Sequence, residues 1–228
     1  MAATYFDLII PAAGSGKRMQ SDVPKPFMKL LGEDILAKSL SAFSGLPIKN
    51  VIIATEKEWQ PQIQAYSFFV ENPEVKLHFV EGGKERHHSV LNALGKVESD
   101  WIAIHDAVRP FLSESLITKL FTNCRVRGSA VPAIASRDTV KEIENDQIKK
   151  TLNRSSLVLA QTPQFFNKTI YQAAIGMMKP ELLYTDDASI VEMAGFNVYW
   201  LEGERKNIKI TYPEDIAWVT WQMNQQIG

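Results

Sequence analysis

Tyr5-Phe6-Asp7-Leu8-Ile9-Ile10 runs straight into Pro11-Ala12-Ala13-Gly14-Ser15-Gly16-Lys17-Arg18-Met19, and this junction decides the fold. The first run is apolar and aromatic on both faces, which suits a strand in a parallel sheet covered by helices. The strand gives way to a loop of small residues carrying two adjacent cations. Gly14 and Gly16 let the backbone approach a ligand, and successive N–H groups can form an anion-binding nest. The loop is not a P-loop, because Pro11 stands where that motif needs glycine and Arg18 where it needs Ser or Thr. Nor is it a dinucleotide fingerprint, since Met19 occupies the third glycine position. By itself it reads as a phosphate site or as a plain tight turn.

The same pattern repeats outward from this junction. Short β-like runs fall at 51–55 (VIIAT), 77–80, 101–105 (WIAIH) and 130–134, with helix-like stretches near 35–45, 58–69, 87–97 and 113–124. Such alternation predicts βαβ units with right-handed crossovers, and so an α/β fold on a single doubly wound, mostly parallel sheet. Ligands of such sheets sit beyond the carboxyl ends of the strands. Residues 136–154 break the rhythm with a run of charges, and Asn145-Asp146 reads as the turn of a two-stranded hairpin. A hairpin alone is marginally stable, so this one either packs on a partner subunit or lies as a solvated flap. Beyond it the pattern predicts a helix over 186–194, strands at 198–201 and 207–211, and a last helix from 213. Thr211-Tyr212-Pro213-Glu214 has capping-box spacing at the start of that helix. Residues 1–228 read as one domain, with the 136–154 arm inserted in it.

Bulk properties exclude several classes. The 228 residues are 45% hydrophobic and 22% charged, an ordinary globular composition. Lys plus Arg number 25 against 26 Asp plus Glu, a net charge of −1. A nucleic-acid or anionic-membrane binder carries a basic surplus, so neither partner is expected. Any anion must be held by a local cluster of cations. Cys124 is the only cysteine, so no internal disulfide forms and a reducing compartment is expected. No apolar run approaches the ~20 residues of a membrane helix, and the opening residues lack a secretory pattern. The expected location is cytoplasmic.

Four further segments carry candidate chemistry. Lys25 lies between Pro24 and Pro26, so it is presented from a stiffened loop, although a solvated lysine would look the same. Gly82-Gly83-Lys84-Glu85-Arg86-His87-His88-Ser89 places two glycines before a helix, a natural seat for a base or phosphate. Adjacent helical positions do not face each other, so His87 and His88 are not assigned a metal. His105-Asp106-Ala107-Val108-Arg109-Pro110 lies at a strand end, where Asp106 can take a ribose hydroxyl or Mg²⁺, or simply pair with Arg109. Period-two alternation around 207–211 puts Lys209 opposite Ile208 and Ile210, a placed cation or merely an amphipathic strand.

Taken together, PAAGSGKRM, PKPF, GGKERHHSV, HDAVRP, RDTVK, NRS, QTPQFF, YTDDAS and EGERKNIKIT resemble the 2-C-methyl-D-erythritol 4-phosphate cytidylyltransferase family, in order from about Leu8 to Asp215. The resemblance implies a Rossmann-like nucleotidyltransferase with a protruding β-arm. Such an enzyme joins CTP to a small sugar-alcohol phosphate, with Mg²⁺ or another divalent cation, in the non-mevalonate route to isoprenoid precursors. It implies that Pro11, Ala12, Ala13, Gly14 and Gly16, with Gly83, Arg86 and Ser89, hold the base and phosphates. Arg18 and Lys25 would stabilise charge at the α-phosphate. Asp106, Ala107 and Arg109 would line the ribose, metal and acceptor region, with Asp106 as metal ligand. Asp138, Thr139, Arg154, Thr162, Thr185 and Lys209 would hold the acceptor, with Arg154 and Lys209 positioning it for attack. The arm would cross to a second subunit, giving a homodimer. Lys84 and Val108 depart from the family pattern, in which an acidic residue and HDAARP are commoner. The alternatives are a ribitol 5-phosphate cytidylyltransferase, whose opening looks more like LAGG, and a non-catalytic nucleotide-binding domain, which needs no cations aimed at the α-phosphate.

Overall fold

Apolar alternation along the first strand decides which helices cover which side of the sheet. The computed structural model describes residues 4–14, 23–179, 182 and 184–226. In chain order, β1 (Phe6–Pro11) leads through the small pair β2 (Lys29–Leu30) and β3 (Glu33–Asp34) into α1 (Ile35–Ser41). Next come β4 (Ile48–Ala54), α2 (Gln60–Gln64), α3 (Ser67–Glu71), β5 (Lys76–Val80), α4 (Arg86–Leu94), β6 (Trp101–Ile104), α5 (Glu114–Arg127) and β7 (Ser129–Ala135). The hairpin β8 (Lys141–Glu144) and β9 (Gln147–Thr151) precedes β10 (Val158–Ala160), β11 (Gln164–Asn167), α6 (Lys168–Gly176), α7 (Asp187–Met193), β12 (Trp200–Glu202) and α8 (Pro213–Gln226).

The central sheet runs β10-β7-β11-β6-β1-β4-β5, with β12 also paired to β7. Strands β1, β4, β5 and β6 are mutually parallel, and β11 is antiparallel to both β6 and β7. Phe6, Leu8 and Ile10 face one core, shared with Leu36, Leu40, Ile63, Leu116 and Leu120 of the helices. Ile9 faces the other, with Val90, Ala93, Tyr171, Ile190 and Val191. Each fully buried side chain of this kind contributes about 1.5–3 kcal/mol. Among the described residues, no helix is long and apolar enough to cross a membrane.

Several expectations need correction. The stretch 58–69 is not one helix but a single turn at Lys57–Trp59 followed by α2 and α3. Tyr66 breaks it in an extended conformation, its hydroxyl donating to Asp34 at 2.6 Å. Residues 207–211 form no strand. They are fixed by single bonds, Ile210 N–H to Val108 carbonyl (3.0 Å) and Asn207 Nδ2 to Thr162 carbonyl (2.9 Å), and Asn207 is buried, not on an open face with Lys209. Thr211 does not cap α8, because its hydroxyl donates to the Lys209 carbonyl. The carboxylate of Asp215 takes the N–H groups of Thr211 and Tyr212 instead. Strand β11 and helix α6 were not anticipated.

The 136–154 stretch does contain a hairpin. Asn145 and Asp146 have φ of 48° and 62°, the left-handed values that a two-residue hairpin turn requires. The hairpin forms its own two-stranded sheet, with Ile143 opposite Ile148 and both exposed.

Candidate active site

The strand order changes direction at β1, with β4 on one side and β6 on the other, and the loops after these strands build the site. After β1, Ala12 is tied by its N–H to the Ala54 carbonyl (2.8 Å), leaving Ala13 and Gly14 over the sheet edge. A Cβ on Gly14 would meet nothing within 4 Å, because the residue borders open cavity. Gly82 and Gly83 are demanded by crowding. A Cβ on Gly82 would fall on that of Ala13, and one on Gly83 would collide with His88 and come within 2.9 Å of the Ser89 nitrogen. Gly83 N–H donates to Ser89 Oγ (2.9 Å), which closes the loop onto the first turn of α4.

These loops enclose a cavity of about 420 Å³ lined by Pro11, Ala13, Gly14, Lys25, Gly83, Arg86, Ser89, Asp106, Ala107 and Lys209, among others. A smaller lobe of about 140 Å³ is bordered by Arg109, Gln161, Thr162, Gln164, Thr185 and Asp186. The two share Arg86, Asp106 and Lys209. Cations separated by nearly two hundred residues in sequence thus meet at one pocket. Ala12 lies buried just behind it.

Asp106 is the centre of charge. Its Oδ1 accepts from Arg86 Nε at 3.0 Å, and its Oδ2 meets Arg109 Nε at 3.2 Å and Lys209 Nζ at 3.0 Å. Burial alone would raise this carboxyl, but Arg86, Lys209 and Arg109 together hold it well below the usual range. Its backbone is fixed by a proton-ordered chain. Thr162 Oγ1 accepts the Asp106 N–H (3.0 Å), so its own hydrogen is left for His105 Nδ1 (3.1 Å), and His105 Nε2–H faces the Arg109 carbonyl (3.3 Å). Burial pushes the His105 ring down to about 3, which keeps the neutral tautomer this chain needs.

Lys25 stands on a single helical turn, Lys25–Phe27, whose Phe27 ring stacks on Trp59 at 4.2 Å. Its ammonium donates to the Thr211 carbonyl at 3.0 Å, so both ends of the side chain are held. Arg109 also donates from Nη1 to the Asn207 carbonyl (2.8 Å), tying the segment that carries Lys209 to the site. Glu85, which lines the pocket, and His87 and His88 bring ligand atoms within 4.8 Å of one another, and the two adjacent rings stand 4.0 Å apart. Adjacency on the helix therefore did not keep them apart as expected.

Not every expected residue converges. Gly16 and Arg18 lie outside the described residues. Within one chain, Asp138, Thr139 and Arg154 are exposed and border neither lobe. Arg154 donates to the Arg137 carbonyl (2.9 Å), and Asp138 borders a separate cavity with Arg205, Lys206 and Trp218. Sequence reasoning missed Asp187, Tyr171, Gln161 and Asn207, all buried supports. Asp187 stood in the YTDDAS segment, and no local spacing marked it as different from a helix-starting acid.

A family model described as 2-C-methyl-D-erythritol 4-phosphate cytidylyltransferase matches residues 6–225. The chain is 38% identical to the protein of that name from Actinobacillus pleuropneumoniae over 224 residues, 95% of each. It is 39% identical to the Haemophilus influenzae one over 214 residues, 92% of each. Among solved structures, the 4-diphosphocytidyl-2C-methyl-D-erythritol synthase of Anaerococcus prevotii superposes with a TM-score of 0.83 at 30% identity, covering 97% of this chain and 96% of that one. The 2-C-methyl-D-erythritol 4-phosphate cytidylyltransferase of Francisella tularensis gives 0.78 at 31% identity, covering 96% and 100%.

Proposed function

We infer the roles of individual residues from a premise that the comparisons supply: the chain belongs to the 2-C-methyl-D-erythritol 4-phosphate cytidylyltransferase family. It is a nucleotidyltransferase that joins a cytidylyl group from CTP to 2-C-methyl-D-erythritol 4-phosphate in isoprenoid precursor synthesis. We propose that the larger lobe takes CTP, cradled by Pro11, Ala12, Ala13, Gly14 and the Gly83–Arg86–Ser89 loop. The smaller lobe takes the acceptor against Arg109, Thr162, Thr185 and Lys209. The observation that carries this reading is the shared wall, where Arg86, Asp106 and Lys209 border both lobes.

The acceptor's phosphate is largely a dianion at neutral pH, its second ionisation lying near ~6. It needs no general base. One of its oxygens bonds to the α-phosphorus as the bond to the bridging oxygen breaks, and that oxygen leaves with the electron pair as pyrophosphate. Lys25 and Lys209, with Arg18, are proposed to stabilise the charge that grows in between. A divalent ion such as Mg²⁺ would supply charge neutralisation at the leaving pyrophosphate, held mostly by substrate phosphates and water with few carboxylates. Asp106, expected as its ligand, has both oxygens committed to cations, so the donor set suits an ion carried by the nucleotide better than one caged by protein.

Asp138, Thr139 and Arg154 fit the reading when the arm belongs to a homodimer and completes a partner's acceptor lobe. Exposed Ile143 and Ile148 on the hairpin, and exposed Val158 and Leu159 on the edge strand β10, support a second copy there. A cytoplasmic location and no nucleic-acid partner complete the proposal. The test is an assay matrix of pyrophosphate release, crossing CTP, UTP and ATP with 2-C-methyl-D-erythritol 4-phosphate and ribitol 5-phosphate. Turnover confined to CTP with the first acceptor is expected, and faster turnover with ribitol 5-phosphate would overturn the acceptor assignment.

A further inference from the structure

Arg86 is gripped from behind by a carboxylate that no substrate reaches. Asp187 is fully buried at the first position of α7, and its Oδ2 accepts from Arg86 Nη1 at 2.6 Å. Its other oxygen, Oδ1, takes the Tyr171 hydroxyl at 2.8 Å, and Tyr171 is itself fully buried and stacked on Phe166. A chain of four groups, Tyr171–Asp187–Arg86–Asp106, therefore runs from the second core into the wall shared by both lobes. Arg86 Nη2 is buried and has no hydrogen-bond partner among the described residues.

A guanidinium is a rigid planar fork, so fixing two of its nitrogens fixes the direction of the third. Asp106 reaches only Nε, because its Oδ2 is already committed to Arg109 and Lys209. Asp187 holds Nη1. Nη2 is then left as a pair of buried donors without a protein partner among the described residues, on a side chain that borders both lobes. Without Asp187, the guanidinium is free to turn and close both Nε and Nη2 on Asp106, the bidentate geometry that Arg–carboxylate pairs favour. The spare donors would be lost to the substrate, and the carboxylate would be drawn off Lys209 and Arg109.

We propose that Asp187, backed by Tyr171, is a positioning residue that reserves Arg86 Nη2 for an oxygen of the nucleotide. This rests on the reading that Arg86 meets CTP, and the test separates the two. Steady-state constants are measured for Arg86→Ala, Asp187→Asn and the double variant, well below each variant's melting temperature. Asp187→Asn keeps an acceptor for Tyr171 but removes the charge on Arg86, and KM for CTP is expected to rise at least about tenfold, with kcat and KM for the acceptor moving less. The rise should vanish when Asp187→Asn is added to Arg86→Ala. A purely structural role would lower the melting temperature and the active fraction, and leave KM alone. Wild-type KM for CTP in folded Asp187→Asn, or an equal rise in the Arg86→Ala background, overturns the positioning role. A wild-type KM in Arg86→Ala would sink the parent reading instead. Should Asp187→Asn not fold, Tyr171→Phe removes only the hydroxyl donor. It is expected to raise KM for CTP by roughly two- to tenfold, and no rise there overturns the proposal equally.

Discussion

Replacing Lys25 by Met keeps most of the side chain's length and its apolar stem while removing the ammonium with its charge and donors, which makes it the sharpest probe of the proposed chemistry. Two separate costs follow from the structure. The Thr211 carbonyl loses a charged donor at 3.0 Å, a bond of a kind that contributes about 1.5–3 kcal/mol. In a chain of this length that lowers Tm by roughly 3–12 °C. The fold survives, because Phe27 remains stacked on Trp59 and holds the turn in place. The second cost falls on the transition state. A preorganised group aimed at developing charge is worth about 10²–10³ in turnover, or about 2.7–4 kcal/mol. The assay is pyrophosphate release at saturating CTP and acceptor, at 25 °C, with a Tm measured on the same sample. CTP-induced stabilisation should persist, since the glycine loops are untouched. A kcat within a few-fold of wild type would remove Lys25 from the chemical step. An intact kcat with a raised KM for CTP would make it a ground-state contact only.

Arg154→Ala and Lys25→Met should each be nearly inactive as pure homodimers, yet a refolded equal mixture should regain about a quarter of wild-type activity, since half the dimers are mixed and each has one intact site; no recovery would refute sharing of the arm between subunits. Gly83→Ala should destabilise by about 1–3 kcal/mol and raise KM for CTP, because the new methyl group forces the loop off the first turn of α4; a thermal melt and a CTP titration check both. His105 titrates near 6.5 when unfolded and at about 3 when folded. Between those values the unfolded chain binds a proton that the folded chain refuses. Its contribution is therefore complete above about 6.5 and erodes as pH falls, by up to about 1.4 kcal/mol per unit. Urea melts at pH 7 and pH 5 should show a smaller loss for His105→Gln than for wild type. Asp106, held low, supplies stability that is lost only as pH falls below about 3.9.

How much of this the sequence disclosed depended on how local the determinants were. Residues Leu8 to Ile10, with Phe6, announced a two-faced strand because the apolar side chains fall on both faces, and the structure splits them between two cores. The Asn145-Asp146 turn was legible because two left-handed residues in a row are a narrow chemical requirement. Strand β11 was not, since its four residues follow Pro163 and carry no alternation, with Phe165 and Phe166 facing opposite cores. The 207–211 stretch alternates like a strand, yet its backbone is held by the side chains of Arg109 and Asn207 and not by a ladder. Lys209 reached Asp106 all the same. Asp187 was invisible because its meaning lies in a partner about one hundred positions away.

The bond between Lys25 and the carbonyl of Thr211 joins residues 186 positions apart. A ribosome releases these two partners at opposite stages of translation, so the Lys25 side of the site is synthesised long before its Thr211 anchor. A growing polypeptide of this sequence therefore handles no nucleotide productively until the stretch through 211 has docked. Turnover in a cell-free synthesis reaction is expected to appear only after the stretch through 211 has been made and docked.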